Sequence, residues 1–572
     1  MKIFEIKKIT NEECEKLCKE QPNFPYVVDE NSLAIVENHR NYYYKTWLSQ
    51  RIEIIKILKD EDSNDKSIEI KAYTHFGEEI INISMSMLNK REFSTLQQKW
   101  SFNEKAIELI IKYILIQCQN AKTIVQYSTV GWFKYKDDLL FRTNRVITDY
   151  KDIQSIYQYN GNFQLEPKIY NNDYNLYIDY LNKALVTSGS MFAVVVGLSS
   201  ALVSLLKHFI QIENIFIHLF GDSSSGKSTF LKLAVSMWGN PTSPPLVSEW
   251  NSTVNAIYAT LSGNLGICCG IDEASCSNSD FSTLIYNISH GRDKAKCNKD
   301  SSLRKEKTWQ TAIISTAEES LLDKTKRNNG IKARCLEIFN LYITQDSNHS
   351  DYINNFVLQN YGVLGEKFVE LLYKKSINII INDYNLCRKY FERKIRNKTN
   401  ISDRLIKTYA MLLQIAIYIK KLDIAIEPIM IVDILTQHHN TLIEDSNPVD
   451  EIINIITDYV ISHKKRFPTI RDCSSNYDMD CEGVIQDGKL YIIDTIFKEI
   501  ILKNKFSDFT LVKKWLFNNG YLEKHHSKYY KYKIINGIKT KCYEIKINML
   551  KTTDLSFTGK ELEKHRINLN KK

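Results

Sequence analysis

From residue 215 to 237 the chain reads IFIHLFGDSSSGKSTFLKLAVSM, and Gly221 to Ser228 within it has the residue types and spacing of a phosphate cradle. This is G-x-x-x-x-G-K-[ST], with an apolar run before it and a helix-compatible run after it. Gly221 and Gly226 allow tight turns, so the backbone N–H groups of Asp222, Ser223, Ser224 and Ser225 can surround phosphate oxygens. The positive end of the following helix points to the same place. Lys227 would reach the β- and γ-phosphates, the Ser228 hydroxyl would ligate Mg²⁺, and Thr229 completes the set. ATP and Mg²⁺ are therefore the expected cofactors. A chance glycine-serine turn is the bland alternative, and the flanking strand and helix weigh against it.

A second half of such a site is needed, and Asp272-Glu273 supplies it 45 residues after Lys227. The pair closes the apolar run Leu265–Ile271, which reads as a buried parallel strand. Ligands bind at the carboxyl ends of such strands. There Asp272 would hold the Mg²⁺ shell and Glu273 would polarise the attacking water, which implies hydrolysis as well as binding. A surface acidic pair is the alternative. Thr316 ends a further strand between the two motifs, where its hydroxyl can meet the γ-phosphate or the water. It could equally cap the next turn.

Two arginines complete the catalytic candidates. Arg334, just before a fifth strand, is placed to leave its own subunit and stabilise charge in a neighbour's ATP. Arg404, opening a helix, is a second sensor candidate. Either could instead be a solvated cation. Residues 291–307 hold seven cations against three acids. Arg292, Lys294, Lys296, Lys299, Arg304 and Lys305 are the candidate DNA contacts, on a hairpin that would grip phosphates without reading sequence; a solvated hairpin is the alternative.

The elements that must position these groups follow from periodicity. Residues 1–165 alternate short strands and helices, with Ile68–Tyr73 and Ile80–Met85 as strands and Phe102–Cys118 as a helix. Ile124–Phe141 reads as a pair of strands around Gly131-Trp132. This part is expected to be a mixed α/β accessory domain. Residues 166–350 are expected to form an α/β P-loop ATPase core around a parallel sheet, with strands at 246–250, 265–271, 311–315 and 335–339 besides the one before Gly221. Residues 351–445 read as an all-helical lid. The last domain, 449–572, shows a helix at 509–519 and a ribbon turning at Asn536-Gly537, the pattern of a winged helix. Lysines 513, 514, 524, 528, 531, 533, 539 and 541 alternate there with Tyr529, Tyr530 and Tyr532, which suits DNA, although many winged helices touch only protein.

The bulk numbers are compatible with this. The chain has 572 residues, 25% of them charged, and a net charge of +9, a modest excess that suits a nucleic-acid partner without demanding one. Twelve cysteines occur without a C-x-x-C pair, as expected of thiols in a reducing compartment. The N-terminus is too charged for a signal peptide, and the apolar run Met191–Leu206 is short of a membrane span and reads as a buried helix. A soluble, cytoplasmic protein with no membrane partner is expected.

With these residues in place, the sequence resembles the phage and mobile-element ATPases grouped under a domain-of-unknown-function heading. The matching features are Val130-Gly131-Trp132, 221–229, Trp238-Gly239-Asn240-Pro241, Trp250 with Thr253 and Asn255, Ile271-Asp272-Glu273, Tyr286 to Gly291, Trp309, Ser315-Thr316-Ala317-Glu318, and Gly330 to Arg334. Within that group it is most similar to the replicative helicases of staphylococcal cassette chromosomes, relatives of the MCM ring helicases. The resemblance implies an AAA+ core in a hexameric ring that hydrolyses ATP, translocates on single-stranded DNA with 3′→5′ polarity, and unwinds forks for replication of a mobile element beside other element-encoded proteins. One departure concerns DNA contact: a Gly-x-Gly-Lys-like run of that group is here Gly291-Arg292-Asp293-Lys294. Two other functions fit the same motifs. One is a nucleic-acid-stimulated NTPase in defence or regulation that does not unwind. The other is a non-enzymatic initiator that uses ATP only to assemble on an origin.

Overall fold

The computed structural model describes residues 6–74, 77–148, 150–274, 281–294, 306–325, 329–396, 398–399, 401–444, 448–469, 481–504, 506, 508–526, 528–535 and 537–546. Before residue 130 the chain lays down most of two sheets. Ile6–Ile9, Tyr42–Gln50, Ser32–His39 and Tyr26–Val28 form an antiparallel four-stranded one. Ile52–Asp60, Lys66–Thr74 and Gly77–Ser84 form an antiparallel meander, which the Thr123–Tyr127 and Tyr157–Tyr159 strands extend in parallel. The alternation of Ile68, Ile70 and Ala72 puts all three into a core with Trp100, Phe102 and the apolar face of the Ile107–Cys118 helix.

The stretch expected as two strands around Gly131-Trp132 is three: Thr123–Tyr127, Val130–Tyr135 and Asp138–Arg142. The hairpin turn lies instead at Lys136, where φ is +52°. Gly131 has a different task. Val130 and Gly131 pair in parallel with Asn264 and Leu265, and a Cβ on Gly131 would stand 1.8 Å from the Leu265 carbonyl oxygen. Trp132 is buried beside it, its indole N–H donating to the Ala201 carbonyl oxygen at 2.8 Å. The Val-Gly-Trp triplet is therefore a joint that fastens the N-terminal part to the parallel sheet.

That sheet is reached through α1 (Ser188–Lys207), whose side chains from Ser190 to Leu206 are all buried. It is the one described helix long and apolar enough to cross a membrane, and it lies wholly inside the protein. Thr187 caps it in a reciprocal pair of hydrogen bonds with Ser190, an arrangement whose loss costs about 1 kcal/mol.

From there, β1 (Ile215–Phe220), α2 (Lys227–Ser236), β2 (Val247–Glu249), β3 (Cys269–Asp272), α3 (Phe281–His290), β4 (Ala312–Thr316) and β5 (Leu336–Phe339) follow in order. The five strands are all parallel, in the order β2-β3-β4-β1-β5. β4 lies between β1 and β3, with Ile217 opposite Ile314 and Ile271 opposite Ser315. The apolar run expected as one strand from Leu265 divides. Asn264–Leu265 pairs with the N-terminal joint, and the Asn264 side chain bonds the N–H and carbonyl of Ile267, so β3 starts at Cys269. All-apolar composition cannot show where such a run changes sheets.

Helices then run from α4 (Ser347–Gln359) to the helix Pro428–Glu444; among them α5 (Ser402–Ile419) is nearly enclosed and packs on α1. After residue 448 come the helices Pro448–Ser462 and Asp494–Lys503, then α6 (Phe509–Asn518), β6 (Lys531–Ile535) and β7 (Ile538–Lys546). β6 and β7 form an antiparallel ribbon whose inner strand, β7, pairs with Lys489–Ile493. The nine described cysteines are all free.

Candidate nucleotide site

β1 delivers the chain to Gly221 at the carboxyl edge of the sheet. Gly221 has φ +133°, and a Cβ there would stand 1.9 Å from the Asn340 side-chain oxygen. Ser224 and Gly226 also take positive φ, +62° and +86°, and Gly226 is the residue from which α2 starts. The Lys227 ammonium folds back into this loop and donates to the carbonyl oxygens of Gly221 (3.0 Å) and Asp222 (2.6 Å) and to the Ser225 hydroxyl (3.2 Å). Three neutral acceptors are a weak setting for an ammonium that an anion would hold more strongly. Ser223, Ser224 and Ser228 are exposed to the cleft in front of the loop. Thr229 differs: its hydroxyl turns to Ser350 on α4 at 3.0 Å. It ties α2 to α4 at the wall of the same cleft.

Asn340 was missed by the sequence reading. Its side chain accepts the Asp222 N–H at 3.0 Å and donates to the Asp222 carboxylate at 3.1 Å, clamping the loop from the end of β5. A lone Asn after a strand carries no signal until the topology brings β5 beside β1.

Opposite the loop stand Asp272, ending β3, and Thr316, ending β4. The Thr316 hydroxyl donates to the Asp272 carboxylate. The Glu273 N–H approaches the same Asp272 oxygen at 3.2 Å and the Thr316 hydroxyl at 3.4 Å. Glu273 itself is exposed, with φ +60°. For a non-glycine residue that conformation costs about 1–2 kcal/mol, and here the strand end and two hydrogen bonds hold it. These groups and the loop line one cleft of about 1010 Å³, closed on the far side by residues 340–347 and by Ser350 and Asp351.

Behind Thr316 lies a buried polar chain. The Trp250 indole N–H donates to the Ser315 hydroxyl at 2.9 Å, and Ser315 Oγ lies 2.9 Å from His218 Nδ1 on β1. His218 Nε2 lies 3.0 Å from the Glu319 carbonyl oxygen. A carbonyl oxygen can only accept, so neutral His218 carries its proton on Nε2, and its bare Nδ1 accepts from the Ser315 hydroxyl, which in turn accepts from Trp250. Burial holds His218 down to about 4, so it stays neutral. Nearby on β5, buried Glu337 accepts from the Ser320 hydroxyl (2.7 Å) and the Leu322 N–H (2.8 Å), and burial pushes it up to about 7. The segment after Thr316 is thus held at both ends from beneath the sheet.

The two arginines are elsewhere. Glu213, just before β1, accepts an ion pair from Arg334 at 3.4 Å and from Arg404 at 3.8 Å, and a hydrogen bond from Ser289 at 3.1 Å. This is the amino edge of the sheet, separated from Gly221 by the length of β1, about 20 Å at ~3.3 Å per residue. Neither arginine lines the cleft of its own chain. Arg334 is not extended outward as expected. Its guanidinium lies 4.3 Å over the Tyr286 ring, donates to the Gly330 carbonyl, and its side chain is 9% exposed.

Of the six DNA candidates, Arg292 and Lys294 are described and exposed, while Lys296, Lys299, Arg304 and Lys305 lie outside the described residues. Arg292 pairs antiparallel with Thr308, and Asp293 exchanges bonds with Lys307, so the strands at this point run as a hairpin would. Arg292 stands near Lys207 at the end of α1, whose ammonium is lowered by burial and by that guanidinium.

Comparison with known proteins gives three findings. Residues 28–308 match the family model described as domain of unknown function DUF927, and residues 449–549 match the Cch helix turn helix domain. Curated proteins yield no match. Among solved structures, "SCCmec type IV Cch - active helicase" superposes with a TM-score of 0.74, covering 92% of this chain and 98% of that one at 22% identity. The chain thus shares its fold with that helicase over nearly its whole length. The resemblance carried by the motifs, to mobile-element ATPases and among them the helicase of staphylococcal cassette chromosomes, is upheld.

Proposed function

We propose that this chain is an ATP-driven DNA helicase with an AAA+ core that works as a ring, its nucleotide sites shared between neighbouring subunits. The supporting observation is the separation of charges across the parallel sheet. At the carboxyl edge the glycine-serine loop, Asp272, Glu273 and Thr316 face one cleft. At the amino edge Arg334 and Arg404 converge on Glu213. One chain therefore holds the groups that bind and activate, while two cations suited to a leaving phosphate face away from its own cleft. A second copy set edge to edge joins the two halves.

The loop and its cleft fit ATP and Mg²⁺: an ammonium with only neutral partners, an exposed Ser228 hydroxyl and a helix N-terminus lie opposite a carboxylate. A divalent ion held by Ser228 and Asp272 would supply charge neutralisation of the phosphates. Lys227 binds and orients the triphosphate. Glu273, exposed to the cleft, takes a proton from the water attacking the terminal phosphorus, and Thr316 fixes Asp272 and the water's approach. Arg334 of the neighbour stabilises the charge that develops as the phosphoryl group leaves, which requires it to exchange Glu213 for phosphate. Hydrolysis would move the basic hairpin begun by Arg292 and Lys294 along a single strand in the central channel. The shared fold with a helicase and the helix-turn-helix match support DNA as the partner.

Lys227→Ala should abolish ATP binding and hydrolysis together. A strand-displacement assay on forks of both polarities separates a helicase from an NTPase that does not unwind. Single-turnover hydrolysis with no further cycles would favour an initiator instead.

A further inference from the structure

The chain's positive charge is not spread evenly. Residues 509–546 carry nine lysines against two glutamates, so this short stretch supplies +7 of the net +9. It comprises α6 and the β6–β7 ribbon, with Gly537 at φ +76° in the turn. Part of that charge braces the ribbon: Lys541 pairs with Asp494 at 3.0 Å, Lys531 lies 3.9 Å from Glu544, and Lys533 lies 4.3 Å over Tyr491. Lys514, Lys528 and Lys539 are exposed.

The tip of this cationic ribbon is apolar. Ile534 is 76% exposed and Ile538 69%, the two highest values among the large apolar side chains of the described residues. Residues directly opposite in an antiparallel pair share a face, so Ile534 stands with Lys539, and Tyr532 with Lys541, on one side. Tyr532 is half exposed, with the Lys539 ammonium 5.2 Å over its ring. One position nearer the turn, Ile535 is buried against Val484, Tyr491 and Cys542, and Ile538, directly opposite it, belongs to that second face. The ribbon is therefore anchored at Ile535, while Ile534 on one face and Ile538 on the other are exposed on either side of the turn.

We propose that this tip is a wedge for the junction between paired and unpaired DNA. Continuous duplex offers phosphates and groove edges, whereas a junction also bares the flat apolar face of the last base pair. Apolar side chains flanked by cations suit that surface, as they suit the unstacked steps that other proteins open. Ile534, on the face it shares with Tyr532 and Lys539, covers the terminal pair, Ile538 forms the other side of the wedge, Tyr532 stacks on the first unpaired base, and Lys514, Lys528 and Lys539 hold the backbone. The inference rests on the DNA reading above and adds to it a second contact, distinct from the hairpin at Arg292, that selects forks.

The test uses the full chain and three probes: a forked duplex with 2-aminopurine at the junction, the same-length single strand, and a fork-free duplex. Ile534→Asn with Ile538→Asn changes two largely exposed side chains, and Lys539→Glu is a second, independent variant. Wild type is expected to prefer the fork and to raise 2-aminopurine emission on binding. Both variants should lose fork affinity about tenfold, a loss on the scale of one stacking contact, and lose the emission rise, with single-strand affinity unchanged. Tip variants that match wild type on the fork would overturn the wedge while leaving the helicase reading intact. A changed native mass with unchanged fork binding would also overturn it, marking the tip as a protein interface. If wild type ignores all three probes, the DNA reading itself fails.

Discussion

The Asp272–Thr316–Glu273 corner is where single atoms decide the chemistry. The left-handed Glu273 backbone aims its N–H at Asp272 and Thr316 and leaves its carboxylate free in the cleft. Glu273→Gln keeps that geometry and removes the proposed base; hydrolysis should fall at least about 100-fold with ATP affinity retained, as rapid-quench and binding titrations would show. Ser315 acts at one remove, as a positioning residue between Trp250 and His218. Ser315→Ala should lower kcat about tenfold, the equivalent of one orienting hydrogen bond of about 1.4 kcal/mol, and leave KM for ATP unchanged. A parallel change in KM would mean that the chain of hydrogen bonds shapes the cleft as a whole. The buried acid and base beneath this corner also fix a pH dependence. Glu337 is raised to about 7, so its contribution to stability is complete below pH 4.5 and is lost as pH rises through 7. His218 is depressed to about 4, so its contribution is present above pH 6.5 and is lost as pH falls toward 4. Glu337→Gln should therefore gain thermal stability relative to wild type between pH 4.5 and 7, with no further gain above that; melting curves across the range would check it.

Among the elements, the joint at Val130-Gly131-Trp132 determines how the N-terminal sheets attach to the parallel one. Gly131→Ala would drive a methyl into the Leu265 carbonyl, at a cost of about 2 kcal/mol or more from overpacking and a disfavoured φ. Chemical denaturation should show that loss, while Gly77→Ala, where nothing lies within 4 Å, should cost less. This joint also shows what the sequence could and could not tell. The strand before Gly221, the helix after it and the acidic pair were legible, because local spacing alone dictates them. β4 and β5 were legible as apolar runs with polar ends. The division of Leu265–Ile271 was not, since it depends on a side chain, Asn264, reaching round to Ile267. Asn340 and His218 were invisible for the same reason: their partners lie 118 and 97 residues away. The place of Arg334 before β5 could be read from the sequence, but its packing on Tyr286 and Glu213 needed the fold.

At the scale of the whole molecule, one chain presents two unlike edges, the cleft proposed to hold ATP and a pair of arginines held by a single glutamate. Glu213 ties those arginines inward, and each must leave it to serve another subunit. Glu213→Gln should loosen both, so the native mass in the presence of ATP would shift toward larger assemblies at lower protein concentration, as analytical ultracentrifugation would record. The most direct test of the shared site is the steady-state ATPase rate of Arg334→Ala, measured with single-stranded DNA, alone and mixed with Lys227→Ala. The expected result is a loss of about 10³-fold with ATP binding kept, and partial recovery on mixing, where an intact loop meets an intact arginine. Hydrolysis by Arg334→Ala alone at the wild-type rate would contradict the shared site.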